Sequence, residues 1–487
     1  MSSADKSVRV AIIGAGLGGI ACAVNLQRAG LHDFRVFEKA SGPGGVWWYN
    51  SYPGCEVDVD SRAYSYSFLP YAWQRTHAPQ AEVQRYVEHV IDHFGVRDRI
   101  TFGVAVTTVR WREASRTYEI ETANGTEGPF DLVICSTGML SNPSTPAWPG
   151  LDEFAGPVFH TSEFDHGVDM VGKRVAVVGT GSTACQLAPV LAETAGRLDL
   201  YQREPGYVLP KKVRDFTDDE REMYAKRPLK RRIDRYKLFR DANKATKAFT
   251  AESDEQARIR AYHTKFLART VKDDAVRAAL TPDYPYGCKR PVFASDYYPM
   301  FNRDNVRLVP HAVERVTRDA IVAADGVERV ADVIVLATGF QATRYLAGID
   351  VIGRDGRSLH EVWGDEPSAF LGLTVPGFPN FFMTYGPNTN GGWSIIAQLE
   401  RQSESIVRAA KRINRKRGRV IDTRVGVAKR YDGFVQKAIH KRRNATEGGC
   451  HNYFRASTGK NVTQWPFSTL WYAVVSRILA PIGLKSD

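Results

Sequence analysis

Twice along this chain a short apolar strand runs into a glycine turn and then a helical pattern, and no other feature limits the fold so tightly. The first copy is VRVAIIGAGLGGIACAVNLQRAG, in which Gly14, Gly16 and Gly19 fit G-x-G-x-x-G. Gly14 permits the tight turn, Gly16 lets backbone approach a pyrophosphate, and Gly19 lets the helix pack close to the sheet. The helix N-terminus then faces the phosphates. A second strand, FRVFE, ends in Glu38, an acid able to accept hydrogen bonds from a ribose. The second copy, KRVAVVGTGSTACQLAPVLAE, places Gly179, Gly181 and Ala184 in G-x-G-x-x-A. Its second strand, LDLYQRE, ends in Gln202 and Arg203 instead of an acid, and an arginine there accommodates a 2′-phosphate. One site suited to a free ribose hydroxyl and one to a 2′-phosphate imply FAD and NADPH, and hence a flavin oxidoreductase.

Two further apolar strands end in Thr-Gly, DLVICSTG at 131–138 and ADVIVLATGF at 331–340. Such strands complete parallel sheets and bring backbone close to a cofactor or a hinge. The expected fold is therefore α/β, with two Rossmann-like dinucleotide-binding domains, the second nested in the first, and a helical insertion. The expected division is 1–142 and 386–487 for the FAD-binding domain, 143–208 and 289–385 for the NADPH-binding domain, and 209–288 for the insertion.

A net charge of +12 raises the question of nucleic acid or a membrane surface. The basic residues gather at 211–247 and 408–443, interleaved with acids on helix-like segments, which is the pattern of a solvated helical face. No zinc-finger spacing or RNA-binding aromatic motif accompanies them, so a nucleic-acid partner is not expected. The six cysteines (22, 55, 135, 185, 288 and 450) form no CxxC pair, and neither a disulfide framework nor a metal site is expected. The N-terminal apolar run belongs to the first strand rather than to a signal peptide. The C-terminal stretch WPFSTLWYAVVSRILAPIGL, broken by Pro466, Arg477 and Pro481, reads as a packed core segment rather than a membrane anchor. The expected setting is a reducing cytoplasm, with no stable membrane insertion; the oligomeric state is not readable.

Residues 44–58, GGVWWYNSYPGCEVD, resemble the second fingerprint of the Baeyer–Villiger monooxygenases, (A/G)-G-x-W-x-x-x-x-(F/Y)-P-G-x-x-x-D. Gly44, Gly45, Trp47, Tyr52, Pro53, Gly54 and Asp58 match every fixed position. FAGPVFHTSEFD supplies Phe154, Gly156 and His160 of F-x-G-x-x-x-H-x-x-x-W, but Phe164 stands where that family has tryptophan. Related flavin monooxygenases that oxidise nitrogen and sulfur have Tyr or Phe there. GCKRPVFASDYYPMFNRDNVRLV looks like the segment that carries the family's catalytic arginine, here Arg290. CHNYFRASTGK departs from many relatives, with Asn452 in place of a tryptophan that touches the nicotinamide cofactor.

The resemblance implies an NADPH- and O2-dependent insertion of one oxygen atom beside the carbonyl of a small-molecule ketone, giving an ester or lactone via a flavin peroxide. Arginine suits that task because it keeps its proton at neutral pH and offers several donors to an anion. Asp58 would orient Arg290. By matched position, Gly45, Val46, Trp47, Trp48 and Tyr49 would line the flavin, and Tyr64 and the backbone near Val106 would reach FAD. Thr180, Gly181, Ser182, Thr183, Ala184 and Gln186 would hold the second pyrophosphate, with Arg203 and Lys289 on the 2′-phosphate and Asn452 as a donor near the nicotinamide. His160 would position the linker between domains, a satisfied structural histidine being the other reading. Substrate contacts would come from YGPNTNGGWS at 385–394 and from the C-terminal segment. The alternative activity is oxygenation of sulfur or nitrogen, which does not need Arg290. A flavin disulfide reductase would need a redox-active cysteine pair, and none is spaced for it.

Overall fold

Val10–Ile13 is buried at every position and forms the centre of a five-stranded parallel sheet. Its strand order is Phe381–Met383, Leu132–Cys135, Val10–Ile13, Phe34–Phe37, Ile100–Thr101. A second parallel sheet repeats the plan around Arg174–Val178, in the order Val306–Val309, Arg197–Tyr201, Arg174–Val178, Val333–Leu336, Val158–His160. Strands covered on both faces tolerate continuous apolar runs, and the central strands carry VAII and, after Arg174, VAVV. The computed structural model describes residues 7–391, 394–416 and 419–486.

The two Thr-Gly strands, Leu132–Cys135 and Val333–Leu336, each lie beside the first strand of their own sheet. The segments that follow them cross between the sheets side by side. Ser144 N–H donates to Gly339 O at 2.8 Å, Thr338 Oγ1 donates to Ser144 O at 2.6 Å, and Gln341 N–H donates to Asn142 O at 3.0 Å. The second unit is thus nested in the first, with its two connections bonded to each other.

The return crossing lies near Phe340, not at 385/386 as the sequence suggested. Asp350–Ile352 already pairs with Val106–Arg112 of the first unit, and Phe381–Met383 completes the first sheet. These strands are three residues each, too short to carry a period of their own.

The insertion is helical, as expected, with Asp218–Lys226, Pro228–Ala245, Asp254–Thr270 and Asp274–Ala279. Its stem is the parallel pair Val208–Leu209 and Val292–Phe293. Arg235 anchors it to the first unit by donating to Ser65 O at 3.0 Å.

The C-terminal stretch does not become packed core throughout. It forms the helix Thr469–Gly483, which buries Tyr472, Ser476 and Gly483 and leaves Leu470, Trp471, Val474, Ile478 and Ile482 exposed.

Candidate active site

The first glycine turn is shaped by the strand beside it. Gly14 has φ +101°, and a Cβ there would sit 2.8 Å from Ser136 O, at the end of the first Thr-Gly strand. The helix Leu17–Arg28 follows directly, with Gly16 at its N-cap and no side chain capping it, so its first N–H groups face open space. The fingerprint at 44–58 folds back onto this turn: Gly44 N–H donates to Ala15 O at 3.0 Å, and Gly45 lies against Gly16. Glu38 is buried at the end of Phe34–Phe37, where its carboxylate accepts from Ala15 N–H at 2.6 Å and Ala40 N–H at 2.8 Å. A carboxylate has about four lone-pair sites, so two amide donors leave it able to accept ribose hydroxyls.

From this turn a cavity of about 740 Å³ runs past Gly45, Val46, Trp47 and Tyr49 to Tyr64, Val106, Asp58 and Arg290. Trp47 Nε1 donates to Tyr64 Oη at 2.9 Å, and the two rings meet edge to face at 5.6 Å, so each fixes the other along the wall. Trp48 was expected beside them and is not. Its ring covers Gly42 on the outer side, 37% exposed, because neighbouring residues in the short helix Val46–Tyr49 point in different directions.

At the far end, Arg290 Nη2 donates to Asp58 Oδ2 across 232 residues of sequence. The Asp58 charge raises the guanidinium further above its already high range, against the cost of burial, and Tyr453 and Tyr385 add smaller contributions of the same sign. Arg290 is 45% exposed, and that exposure opens on the cavity it lines. The rest of the fingerprint locks Asp58 in place. Tyr52 Oη donates to Gln186 Oε1 at 3.0 Å, Gln186 Nε2 donates to Glu56 O at 2.9 Å, and Lys211 Nζ reaches Glu56 Oε1 at 2.5 Å and Val57 O at 3.1 Å. The Tyr-Pro-Gly segment is therefore a joint between the two units, with Gln186 as its socket.

The second glycine turn opens toward the same cavity. Ser182, Thr183 and Gln186 line it, while Gly181 caps the helix Ser182–Thr194 with nothing near its absent Cβ. Thr180 faces the other way, donating from Oγ1 to Glu204 O at 3.0 Å, and Ala184 is fully buried on the inner face of the helix. Arg203 is exposed at the end of Arg197–Tyr201, with no carboxylate partner among the described residues. Lys289 has one that sequence reasoning missed: its Nζ lies 2.6 Å from Glu204 Oε2. Burial lowers the Lys289 pKa and Glu204 counteracts it. Burial alone would raise Glu204, but hydrogen bonds from Lys289 and His451 prevail and bring its carboxyl down to about 2. The acid following Arg203 in LDLYQRE was the available signal.

His160 ends the strand Val158–His160 with both ring nitrogens engaged, Nδ1 to Ser162 Oγ at 2.8 Å and Nε2 to Gly339 O at 3.0 Å. Burial lowers its pKa against the Gly339 carbonyl, and with both nitrogens engaged it stands as a structural link to the return crossing. Phe164 packs edge to face on Phe159 and His166 at 5.2 and 5.1 Å.

Asn452 does not reach the cavity. Its amide donates to Thr446 O at 3.1 Å and its oxygen accepts from Phe454 N–H at 3.0 Å, closing a local turn. Beside it lies the clearest departure from expectation, a disulfide between Cys288 and Cys450. The bond ties the residue before Lys289-Arg290 to the segment carrying His451 and Tyr453. Neither sulfur lines the cavity, so this pair is not placed to exchange electrons with a group bound there. The other four cysteines are buried thiols. Of the stretch at 385–394, Tyr385, Asn390 and Gly391 line the cavity, the first two joined by a 3.1 Å hydrogen bond, while Gly392 and Trp393 lie outside the described residues.

Residues 11–270 match the family model described as pyridine nucleotide-disulphide oxidoreductase. A Baeyer-Villiger monooxygenase of Streptomyces coelicolor is 40% identical over 467 residues, covering 95% of this chain and 90% of the relative. One of Pseudomonas aeruginosa is 34% identical over 478 residues, covering 98% and 90%. Among solved structures, an oxidized steroid monooxygenase bound to NADP superposes with a TM-score of 0.88 at 29% identity, over 99% of both chains. A closed cyclohexanone monooxygenase superposes with a TM-score of 0.88 at 27% identity, again over 99% of both.

Proposed function

The chain belongs to the Baeyer–Villiger monooxygenases, flavoenzymes that use FAD and NADPH, and on that premise we propose that it inserts one oxygen atom from O2 beside the carbonyl of a small-molecule ketone, giving an ester or lactone. The observation that carries this reading is the Asp58–Arg290 pair at the end of the cavity. Bound there, the flavin would accept hydride from NADPH and activate O2.

The chain's own residues do the rest. The N–H groups after Gly16 would hold the pyrophosphate of the dinucleotide and the Glu38 carboxylate its adenosine ribose. Trp47 and Tyr64 wall the cavity against water. Arg290 presents a charge that cannot be neutralised to the anion that must attack the carbonyl, and then to the oxygen that becomes negative as the adduct forms. Asp58 is the positioning partner: it fixes the guanidinium fork. Arg203 and Lys289 would meet the 2′-phosphate, Lys289 by exchanging Glu204 for the phosphate. The proposed setting is the cytoplasm.

The test is Arg290→Ala. The variant should bind FAD and accept hydride from NADPH normally, yet lose ketone oxygenation by at least ~100-fold, the scale of removing one preorganised stabiliser of an oxyanion. Asp58→Ala should show a milder form of the same loss. Ester formed at the wild-type rate by Arg290→Ala, detected by mass, would overturn the mechanism. If the wild type oxygenates thioethers or amines but no ketone in a mixed panel, the activity is the sulfur and nitrogen chemistry instead.

A further inference from the structure

The C-terminal helix Thr469–Gly483 is turned inside out. Its buried positions are Tyr472, Ser476 and Gly483, and it packs with them against the helix Ile395–Arg415. Gly483 is small because a Cβ there would meet the Phe370 ring at 2.3 Å. The larger apolar side chains point outward: Leu470, Val474, Ile478 and Ile482 are 71, 39, 58 and 55% exposed, with Trp471 at 51%. The first four are spaced by four residues, so they form one ridge, about 18 Å long at 1.5 Å per residue. The exposed positions of this helix hold one charge, Arg477.

The ridge has a basic border on both sides. Toward one side, Phe467 lies 6.5 Å from Trp471 and stacks on Phe434 at 5.5 Å, with the Arg442 guanidinium 5.0 Å over its ring. Phe434 belongs to the helix Val425–Arg442, where Arg430, Lys437 and Lys441 share its face at helical spacing and are exposed. Toward the other, Arg408 on Ile395–Arg415 is exposed and close enough to Arg477 for the two charges to oppose each other, and Arg412 donates to Ser486 at 3.3 Å. Residues 424–486 contain eleven lysines and arginines against Asp432 and Glu447, so this stretch accounts for +9 of the chain's +12. Both acids are engaged, Asp432 by Lys460 at 2.9 Å and Glu447 by His440 at 3.2 Å.

We propose that this face docks on an anionic lipid surface, with the ridge from Leu470 to Ile482 seated among the headgroups and the flanking lysines and arginines on their phosphates. An apolar stripe with a tryptophan at its edge and cations along both sides matches the interface of an acidic bilayer. A second copy of the same face is a poorer match, because a two-fold contact would bring these basic borders against each other. The helix lies on the surface and does not cross it: among the described residues no helix is long and apolar enough to span. The proposal does not rest on which substrate the enzyme oxygenates.

The test uses the full-length, FAD-loaded protein in co-sedimentation with phosphatidylcholine vesicles, with and without phosphatidylglycerol. Binding is expected on the phosphatidylglycerol vesicles, with at least ~10-fold weaker partition onto phosphatidylcholine alone and release at high salt. Replacing Arg430, Lys437 and Lys441 together by Gln should weaken partition by ~100-fold, at the usual contribution of a cation near an anionic leaflet. Ile478→Ser with Leu470→Ser should also abolish binding while NADPH oxidation stays at the wild-type rate. Equal partition onto both vesicle types, or none onto either, overturns the proposal. So does a concentration-dependent dimer in sedimentation velocity, without lipid, that Ile478→Ser dissociates, since the face would then be an interface between copies.

Discussion

At Gly19 an added Cβ would lie 1.9 Å from Gly14 O, whereas the matching position of the second unit is already Ala184, fully buried and accommodated. The first glycines behave alike: Gly14 is pressed by Ser136 O at 2.8 Å and Gly179 by Ala337 O at 2.2 Å. The acid positions then diverge. Glu38 is buried and held by two amides, while Gln202 donates to Ala279 O of the insertion at 2.8 Å and Arg203 stands exposed. One unit grips its nucleotide site by close packing and the other leaves it open with an exposed cation. That contrast suits a cofactor that stays and a cofactor that exchanges.

The largest effect should come from breaking the tight unit. Gly19→Ala puts a methyl group into backbone that cannot move aside, so the protein should purify with little flavin and lose about 1–3 kcal/mol of stability. Ala184→Gly in the open unit should keep its flavin and cost about 1–2 kcal/mol, from helix propensity and the lost buried methyl. The ratio of flavin to protein absorbance and the thermal midpoint read both. A yellow Gly19→Ala protein with an unchanged midpoint would erase the contrast.

Arg203→Ala should come next. Losing a charge-assisted contact of about 1.5–3 kcal/mol should raise the KM for NADPH by roughly 10- to 100-fold, with flavin content and the KM for NADH unchanged. A parallel rise for both dinucleotides would show that Arg203 does not read the 2′-phosphate.

The smallest effect concerns Glu204. Its carboxyl is lowered from 4.5 to about 2, so its contribution to stability is complete above pH 4.5 and is lost as pH falls toward 2. Glu204→Gln should therefore flatten the decline in stability across that window, measured by urea unfolding at pH 5 and pH 3. At neutral pH it should tighten NADPH binding modestly, because Lys289 loses its competing carboxylate. An unchanged acid profile would mean that the Lys289–Glu204–His451 cluster does not hold in solution.

Both glycine turns were legible because each is local, a strand, a turn and a helix within one short stretch; the nesting followed from the order of the two turns and the two Thr-Gly strands along the chain, though not the place of the return crossing. Asp58 and Arg290 are far apart in sequence and were legible only through a resemblance covering both segments. Contacts made by topology left no comparable trace. Cys288 and Cys450 are 162 residues apart, and spacing says nothing about a pair brought together by the return of the chain. Asn452 looked available because its type donates hydrogen bonds, but the turn it closes uses both ends of its amide. Trp48 shared a motif with Trp47 yet points outward, since a motif fixes residue types before it fixes directions.

Asp58 hangs from the first unit and Arg290 from the chain that re-enters the second, so their ion pair is made across the seam rather than within either body. It works as an interlock. Were the two bodies to slide apart, the carboxylate would no longer fix the guanidinium at the end of the cavity. Gln186, accepting from Tyr52 and donating to Glu56 O, ties the same seam one turn away.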